Sequence, residues 1–321
     1  MRGSRAAARL AAVAAGLACL LAGLPVDDAL GHEDAGDPAL TAPLGNGCQT
    51  TLEAGRHAVT SVTGEATLKL EDGREVVLAG VLVPRATDAV DGAEVWQPAV
   101  AANTWLQAAA LGRQVVLAAV GARDRYGRTP AQVLLVSEQG RADWLQALML
   151  GAGHARAHTS AGNSSCLAGL LAAEAPAREA RRGLWSHPGY GIRSAEAPEA
   201  LLALRHTFQV VEGRVRRAAR VKGRIYLNFG DNWREDFTAS VAPALVRAHP
   251  AWSSSLERLA GRQVRARGWI VRRQGPMIEI STPDDLEVIE DDAAPQREPS
   301  RDHDAGRDGV RSRAPPIGHS L

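Results

Sequence analysis

Asp124-Arg125-Tyr126-Gly127-Arg128 is the stretch on which the fold turns. Glycine tolerates positive φ and an aspartate side chain bonds its own backbone, so the pentapeptide reads as a turn. On either side lie apolar runs of strand character, Arg113-Gln-Val-Val-Leu-Ala-Ala-Val120 and Ala131-Gln-Val-Leu-Leu-Val136. The unit is therefore strand, turn, strand, with Arg128 at the junction. A guanidinium stays charged and offers a rigid fork of donors, which suits the planar oxygens of a phosphate.

Upstream, three further strand-like segments precede a helix. Ala58 to Gly64, Ala66 to Leu70 and Glu75 to Val83 form a meander, with Asp72-Gly73 as the hairpin turn. Pro98 to Leu111 carries apolar residues at helical spacing and stops at Gly112. Downstream, Ala142 to Leu150 and Leu167 to Trp185 read as two more helices. Three strands, helix, two strands, helix, helix is the order of a small closed barrel of the oligonucleotide-binding (OB) type.

A second β-rich unit follows at 205–290. Strands are expected at Phe208 to Val215, Arg224 to Phe229, Phe237 to Val241, Gln263 to Val271 and Met277 to Ile280. One helix is expected near Ala242 to Leu259, limited by Pro243 and Pro250. The fold class is thus mainly β with helices (α+β), with the first barrel at 58–190 and a second OB-like β domain at 205–290. Residues 32–57 read as a linker and 291–321, rich in Asp, Arg, Pro and Gly, as a disordered tail.

The first 31 residues read as a signal peptide. Arg2, Arg5 and Arg9 precede an apolar run from Leu10 to Val26 and small residues at a plausible cleavage point. The implied location is periplasmic or secreted, with a retained membrane anchor as the alternative and no later hydrophobic span. Loss of Cys19 with the signal leaves Cys48 and Cys166, an even pair that favours one disulfide in an exported chain. Two separate buried thiols are the other reading. Net charge is +1, which gives no electrostatic preference for the chain as a whole.

Residues 58–186 resemble the staphylococcal nuclease (thermonuclease) family. The shared landmarks are Thr67 to Leu70 with Asp72-Gly73, Leu78-Ala-Gly80 with Pro84, and Trp96-Gln-Pro98. Asp124 to Arg128, Trp144 to His154 and Glu174 to Ser186 follow in order. The resemblance implies an OB barrel and calcium-dependent cleavage of DNA and RNA phosphodiesters. Such chemistry needs metal-binding aspartates, a general base and two arginines that stabilise the transition state. Here Ala66 and Leu82 stand at the metal aspartates, Val77 at the first arginine and Arg85 at the base. Only Arg128 retains a catalytic position.

The expectation is an exported thermonuclease-like protein with impaired catalysis, leaning away from an enzyme. It would bind single-stranded nucleic acid or another polyanion, or serve as an envelope scaffold. One alternative is an active nuclease with a rearranged site, drawing carboxylates from Glu65, Asp88, Asp91 or Glu94. Another is a structural or protein-interaction module. No cofactor is expected, calcium only under the nuclease alternative, and no metal site from His154 and His158.

Arg85, Arg125 and Arg128 are the candidate nucleic-acid contacts of the first unit. Residues 205–290 hold 15 Lys+Arg against 10 Asp+Glu. Their candidates are Arg214, Arg216, Arg265, Arg267 and Tyr226, with aromatics interleaved as in a stacking platform beside a charged groove.

Overall fold

The computed structural model describes Leu44, Cys48, Thr50 and residues 51–88, 96–158 and 164–289. All of these fall in one compact unit, Leu40–Leu321. The signal segment, most of the linker, Asp91, Glu94 and the C-terminal tail lie outside the described residues.

The first half runs β1 (His57–Thr63), β2 (Thr67–Leu70), β3 (Glu75–Leu78), β4 (Val81–Leu82), α1 (Gln97–Ala110), β5 (Gln114–Ala119) and β6 (Thr129–Val136). Then come β7 (Ala142–Trp144), α2 (Leu145–Gly151), β8 (Arg156–Ala157) and α3 (Leu167–Glu179). Antiparallel pairings join β3 to β2, β2 to β1, β1 to β5 and β5 to β6. A parallel pairing of β6 with β3 returns the path to its start. The ring encloses Leu68, Leu70, Val115, Leu117 and Val133, and α1 covers it with Ala102, Leu106 and Ala110.

Three expectations need correction. Glu75 to Val83 is not one strand, because the chain turns at Gly80, whose φ is 85°. Ala142 to Leu150 begins as the short strand β7, and the helix starts only at Leu145. The helix from Leu167 ends at Glu179, and Gly183–Ser186 continues as a separate 3-10 turn. Close backbone contact explains the glycines here. A Cβ on Gly153 would lie 2.4 Å from the carbonyl oxygen of Arg182.

The described residues of the linker do not stand apart from this core. Leu44, Cys48 and Leu52 pack against it, and the Glu53 amide donates to the Leu117 carbonyl at 2.7 Å. Cys48 and Cys166 form a disulfide, as the even pair in the sequence favours.

The second half contains β9 (Arg193–Ser194), α4 (Pro198–Ala203), β10 (Phe208–Arg214), β11 (Arg217–Val221), β12 (Arg224–Asn228) and β13 (Thr238–Val241). It continues with α5 (Pro243–Ala248), α6 (Pro250–Leu256), β14 (Gln263–Arg273), β15 (Gly275–Ile280) and β16 (Leu286–Ile289). The single helix expected at 242–259 is two, because Pro250 lacks the N–H that a continuous helix would need. Strands pair in the order β11-β12-β13-β15-β14-β10, with β13 and β15 parallel. Val211, Ile225, Leu227, Phe237, Val264 and Ile278 fill the interior.

A small cluster of Ala177, Leu184, Trp185, Tyr190 and Val210 connects the halves, with Trp96 packed against it. The class is mixed α+β with sheet predominating. Among the described residues no helix is long and apolar enough to cross a membrane.

Candidate nucleic-acid interface

The turn at 124–128 forms as its sequence implies. Gly127 has φ 81°, and Asp124 Oδ1 accepts from the amides of Tyr126 at 2.9 Å and Arg128 at 3.0 Å. The same aspartate holds the catalytic-position arginine, since Arg128 Nε donates to Asp124 Oδ2 at 2.8 Å. Arg128 Nη1 donates to Thr67 Oγ1 at 3.2 Å, and the guanidinium lies 5.2 Å from the Tyr126 ring centre. Desolvation opposes the charge on Asp124, but the hydrogen bonds from Arg128 and Tyr126 outweigh it and hold its carboxyl below the usual aspartate range. Arg125 bends back onto the same ring, donating to the Tyr126 hydroxyl at 2.7 Å. Both arginines are engaged within their own turn.

Around the other family positions the surface is apolar. Ala66 is buried, Val77 and Leu82 are half-buried, and a cavity of about 300 Å³ is lined by Ala66, Val83, Ala99, Ala102, Leu106 and Met149. Glu65 and Arg85 reach its edge. Arg85 is tied to Asp88, whose Oδ1 lies 3.5 Å from its Nε and whose Oδ2 accepts its backbone amide at 3.0 Å. A hard cation takes six to eight oxygens, and alanine and leucine at the two aspartate positions offer none. The described residues at these positions do not fit calcium. Among the described residues no three His, Cys, Asp or Glu side chains group to hold a metal.

His154 and His158 take ordinary roles, each packed on aromatic rings. His154 lies 5.6 Å from Trp105, and His158 lies 5.0 Å from Phe208. Burial, with Arg156 and Arg267 nearby, pushes the His158 pKa down to about 4.

Two of the second-half candidates face the protein interior instead of a ligand. Arg267 is 1% exposed and donates to Glu174 Oε1 at 3.0 Å, Glu287 Oε1 at 2.9 Å and the Ala157 carbonyl at 3.1 Å. Burial works against its charge, but the Glu174 and Glu287 carboxylates outweigh it and raise its pKa. Arg265 donates to Glu212 and Glu287 at 3.0 and 2.8 Å. Glu174 is itself fully buried and accepts from Arg178 at 2.9 Å and from the Ala157 amide at 2.6 Å. Arg267 ties β14 to α3 and β8 of the first half, and Arg265 ties it to β10 and β16. Neither is free to meet a phosphate.

Arg214 and Arg216 are exposed, with Arg214 Nη1 donating to the Gly261 carbonyl. Tyr226 has a different setting. It lines a cleft of about 690 Å³ together with Arg217, Arg224, Trp233, Arg273 and Met277. Trp233 is 49% exposed and Arg234 stacks on it at 4.5 Å. Arg224 is paired with Glu279 at 3.0 Å. Arg217 and Arg273 are exposed and have no carboxylate within ion-pair distance among the described residues. Among the described residues none that lines the cleft is acidic.

The pairing of β11, β12 and β13 puts Arg217 on the face that Tyr226 occupies, and Arg273 joins the lining from the end of β14. Phe229 is core at 5% exposure, and Trp269 packs on Phe208 away from the cleft.

No curated protein matches the chain significantly. The match to a family model covers residues 75–187, taking in Val77, Leu82, Arg85 and Arg128 and starting after Ala66. That model is described as staphylococcal nuclease homologue, so residues 75–187 are similar to a domain of that type, which implies an OB fold.

Proposed function

We infer that the chain is an exported nucleic-acid-binding protein, built on a nuclease-type domain whose phosphodiesterase chemistry is lost or strongly impaired. The observation that carries this reading is the cleft around Tyr226. Two aromatic faces lie beside three arginines, and two of these, Arg217 and Arg273, have no carboxylate within ion-pair distance among the described residues. Bases of any sequence stack on aromatic rings while the backbone follows positive charge. With β10 and β11 taken as one bent strand, the pairing order β11-β12-β13-β15-β14-β10 supports an OB-like reading of the second half. That likeness supports reading the cleft as a strand-binding surface.

The weakened chemistry rests on magnitudes. Loss of one transition-state donor costs ~10²–10³ in rate, and loss of a general base ~10²–10⁴. The effects do not add fully, because a broken unit cannot be broken again. Four of the five roles are nonetheless missing at Ala66, Val77, Leu82 and Arg85. Export is supported by the basic and then apolar first 31 residues and by the disulfide.

The test is fluorescence anisotropy with a single-stranded DNA oligomer, at about 50 and 200 mM salt. Affinity should fall steeply with salt and weaken in a Tyr226→Ala/Trp233→Ala variant. Absence of binding at low salt would leave the scaffold or protein-interaction reading. Cleavage by the pure protein that requires calcium and stops with chelator would instead establish an active nuclease with a rearranged site.

A further inference from the structure

Where the two halves meet, a cavity of about 350 Å³ has Asp88, Trp96, Arg156, Tyr190, Phe208 and Gln209 in its walls. Arg156, on β8, stands directly opposite Leu82 of β4 in the strand register, and both line the cavity. Arg156 is only 5% exposed. Its guanidinium lies 5.0 Å from the Tyr190 ring centre and 5.1 Å from that of Phe208.

What sets this arginine apart is the lack of a counter-ion. Nη1 is buried with no hydrogen-bond partner, and no carboxylate among the described residues lies within ion-pair distance. Arg267 shares the same junction with two carboxylates in contact. Burial pulls the Arg156 pKa down to about 10, against the influence of Tyr190, Glu174 and Asp88 and with that of Arg267.

The other polar groups of the cavity are already engaged. Asp88 Oδ2 accepts from the Tyr190 hydroxyl at 2.9 Å and the Arg85 amide at 3.0 Å. Trp96 Nε1 donates to the Tyr190 oxygen at 2.8 Å, and Gln209 binds Thr207 at 2.8 Å and Arg193 at 3.3 Å. The unmatched charge is therefore that of Arg156. Contacts with two rings return only part of the desolvation cost of a cation.

We propose that this cavity binds the oxyanion of a small organic molecule, a carboxylate or a phosphate monoester on a planar body, with Arg156 as its counter-ion. A guanidinium pairs with either group through two parallel hydrogen bonds. Aromatic walls at Trp96, Tyr190 and Phe208 suit a flat body, and the volume is within the range of small-molecule sites. The site is separate from the cleft around Tyr226, so a Tyr226→Ala variant leaves it unchanged.

Phenyl phosphate, benzoate and inorganic phosphate are the probes, each titrated into the full chain by calorimetry and by its effect on the urea midpoint. At least one organic probe should bind and raise the midpoint. Preference for phenyl phosphate or benzoate identifies the phosphate or the carboxylate as the oxyanion. Arg156→Met should lower affinity ~10²-fold or more, while the ligand-free variant unfolds at no lower urea than the parent, because an uncompensated buried charge has been removed.

Leu82→Glu provides a second variant. It places a carboxylate opposite Arg156, and should raise ligand-free stability while weakening the probe. Failure of all three probes to bind at millimolar concentration would overturn the proposal. So would unchanged binding in both variants, or a ligand-free Arg156→Met protein less stable than the parent alongside unchanged probe affinity in Leu82→Glu.

Discussion

The turn at Asp124–Arg128 and the cleft around Tyr226 hold the same residue types, arginine beside tyrosine, in opposite circumstances. In the turn, Arg128 is bound to Asp124 and Thr67, and Arg125 to Tyr126. In the cleft, Arg217 and Arg273 stand exposed beside two aromatic faces without an acidic residue in the lining. Residue type gives an arginine its capacity for phosphate, and its neighbours decide whether that capacity is available. A third circumstance is Arg267, buried and held by the carboxylates of Glu174 and Glu287.

Several experiments would break or sharpen that contrast. The largest effect is expected where an arginine is fully enclosed. Glu174→Gln leaves Arg267 buried with one of its two carboxylates gone, which should cost about 3–5 kcal/mol of unfolding free energy measured in urea. A change below 1 kcal/mol would show that the enclosure is loose. Next comes the cleft, where Trp233→Ala and Tyr226→Ala should each lose ~1–3 kcal/mol of single-strand affinity with little change in stability. If Arg128→Ala cost more binding than either, the two regions would have to exchange roles.

Acid should act on the enclosed arginines and not on the cleft. Desolvation opposes the Glu287 charge, but Arg267, Arg178 and Arg265 outweigh it and hold its carboxyl below the usual value of 4.5. Its contribution to stability is therefore complete above that value and is lost as pH falls through the depressed one. Unfolding midpoints measured from neutral to about pH 3 should decline, and Glu287→Gln should flatten the acid part of that decline. The smallest effect is expected at the turn. Arg128→Ala should change stability by ~0–1 kcal/mol, because the Asp124 pair is partly exposed, at 24% against 19% for Arg128.

Much of this arrangement was legible in the sequence. The Asp72-Gly73 and Asp124–Arg128 turns, the strands flanking them, the apolar residues at three family positions and Arg85 at a fourth needed no structure. The fate of Arg265 and Arg267 was not legible. Alternation places both on the face of β14 opposite Val264 and Ala266, and that face reads as solvent until α3 of the first half covers it. Glu174 lies 93 residues from Arg267, and strand periodicity carries no information across that span. Trp233 sits in the connection between β12 and β13, where no periodicity operates, and only the folded turn brings it over the cleft. Arg156 lies between His154 and His158, in a stretch with no strand or helix periodicity to mark it. Its isolation follows from the rings that the second half lays against it.

The Cys48–Cys166 bridge closes a covalent ring around β1 to β8, with 118 positions separating its ends. A single backbone cut inside that ring cannot release a fragment. A protease that nicks any one bond between the two cysteines leaves a molecule of undiminished mass, and the break becomes visible on a gel only after reductant is added.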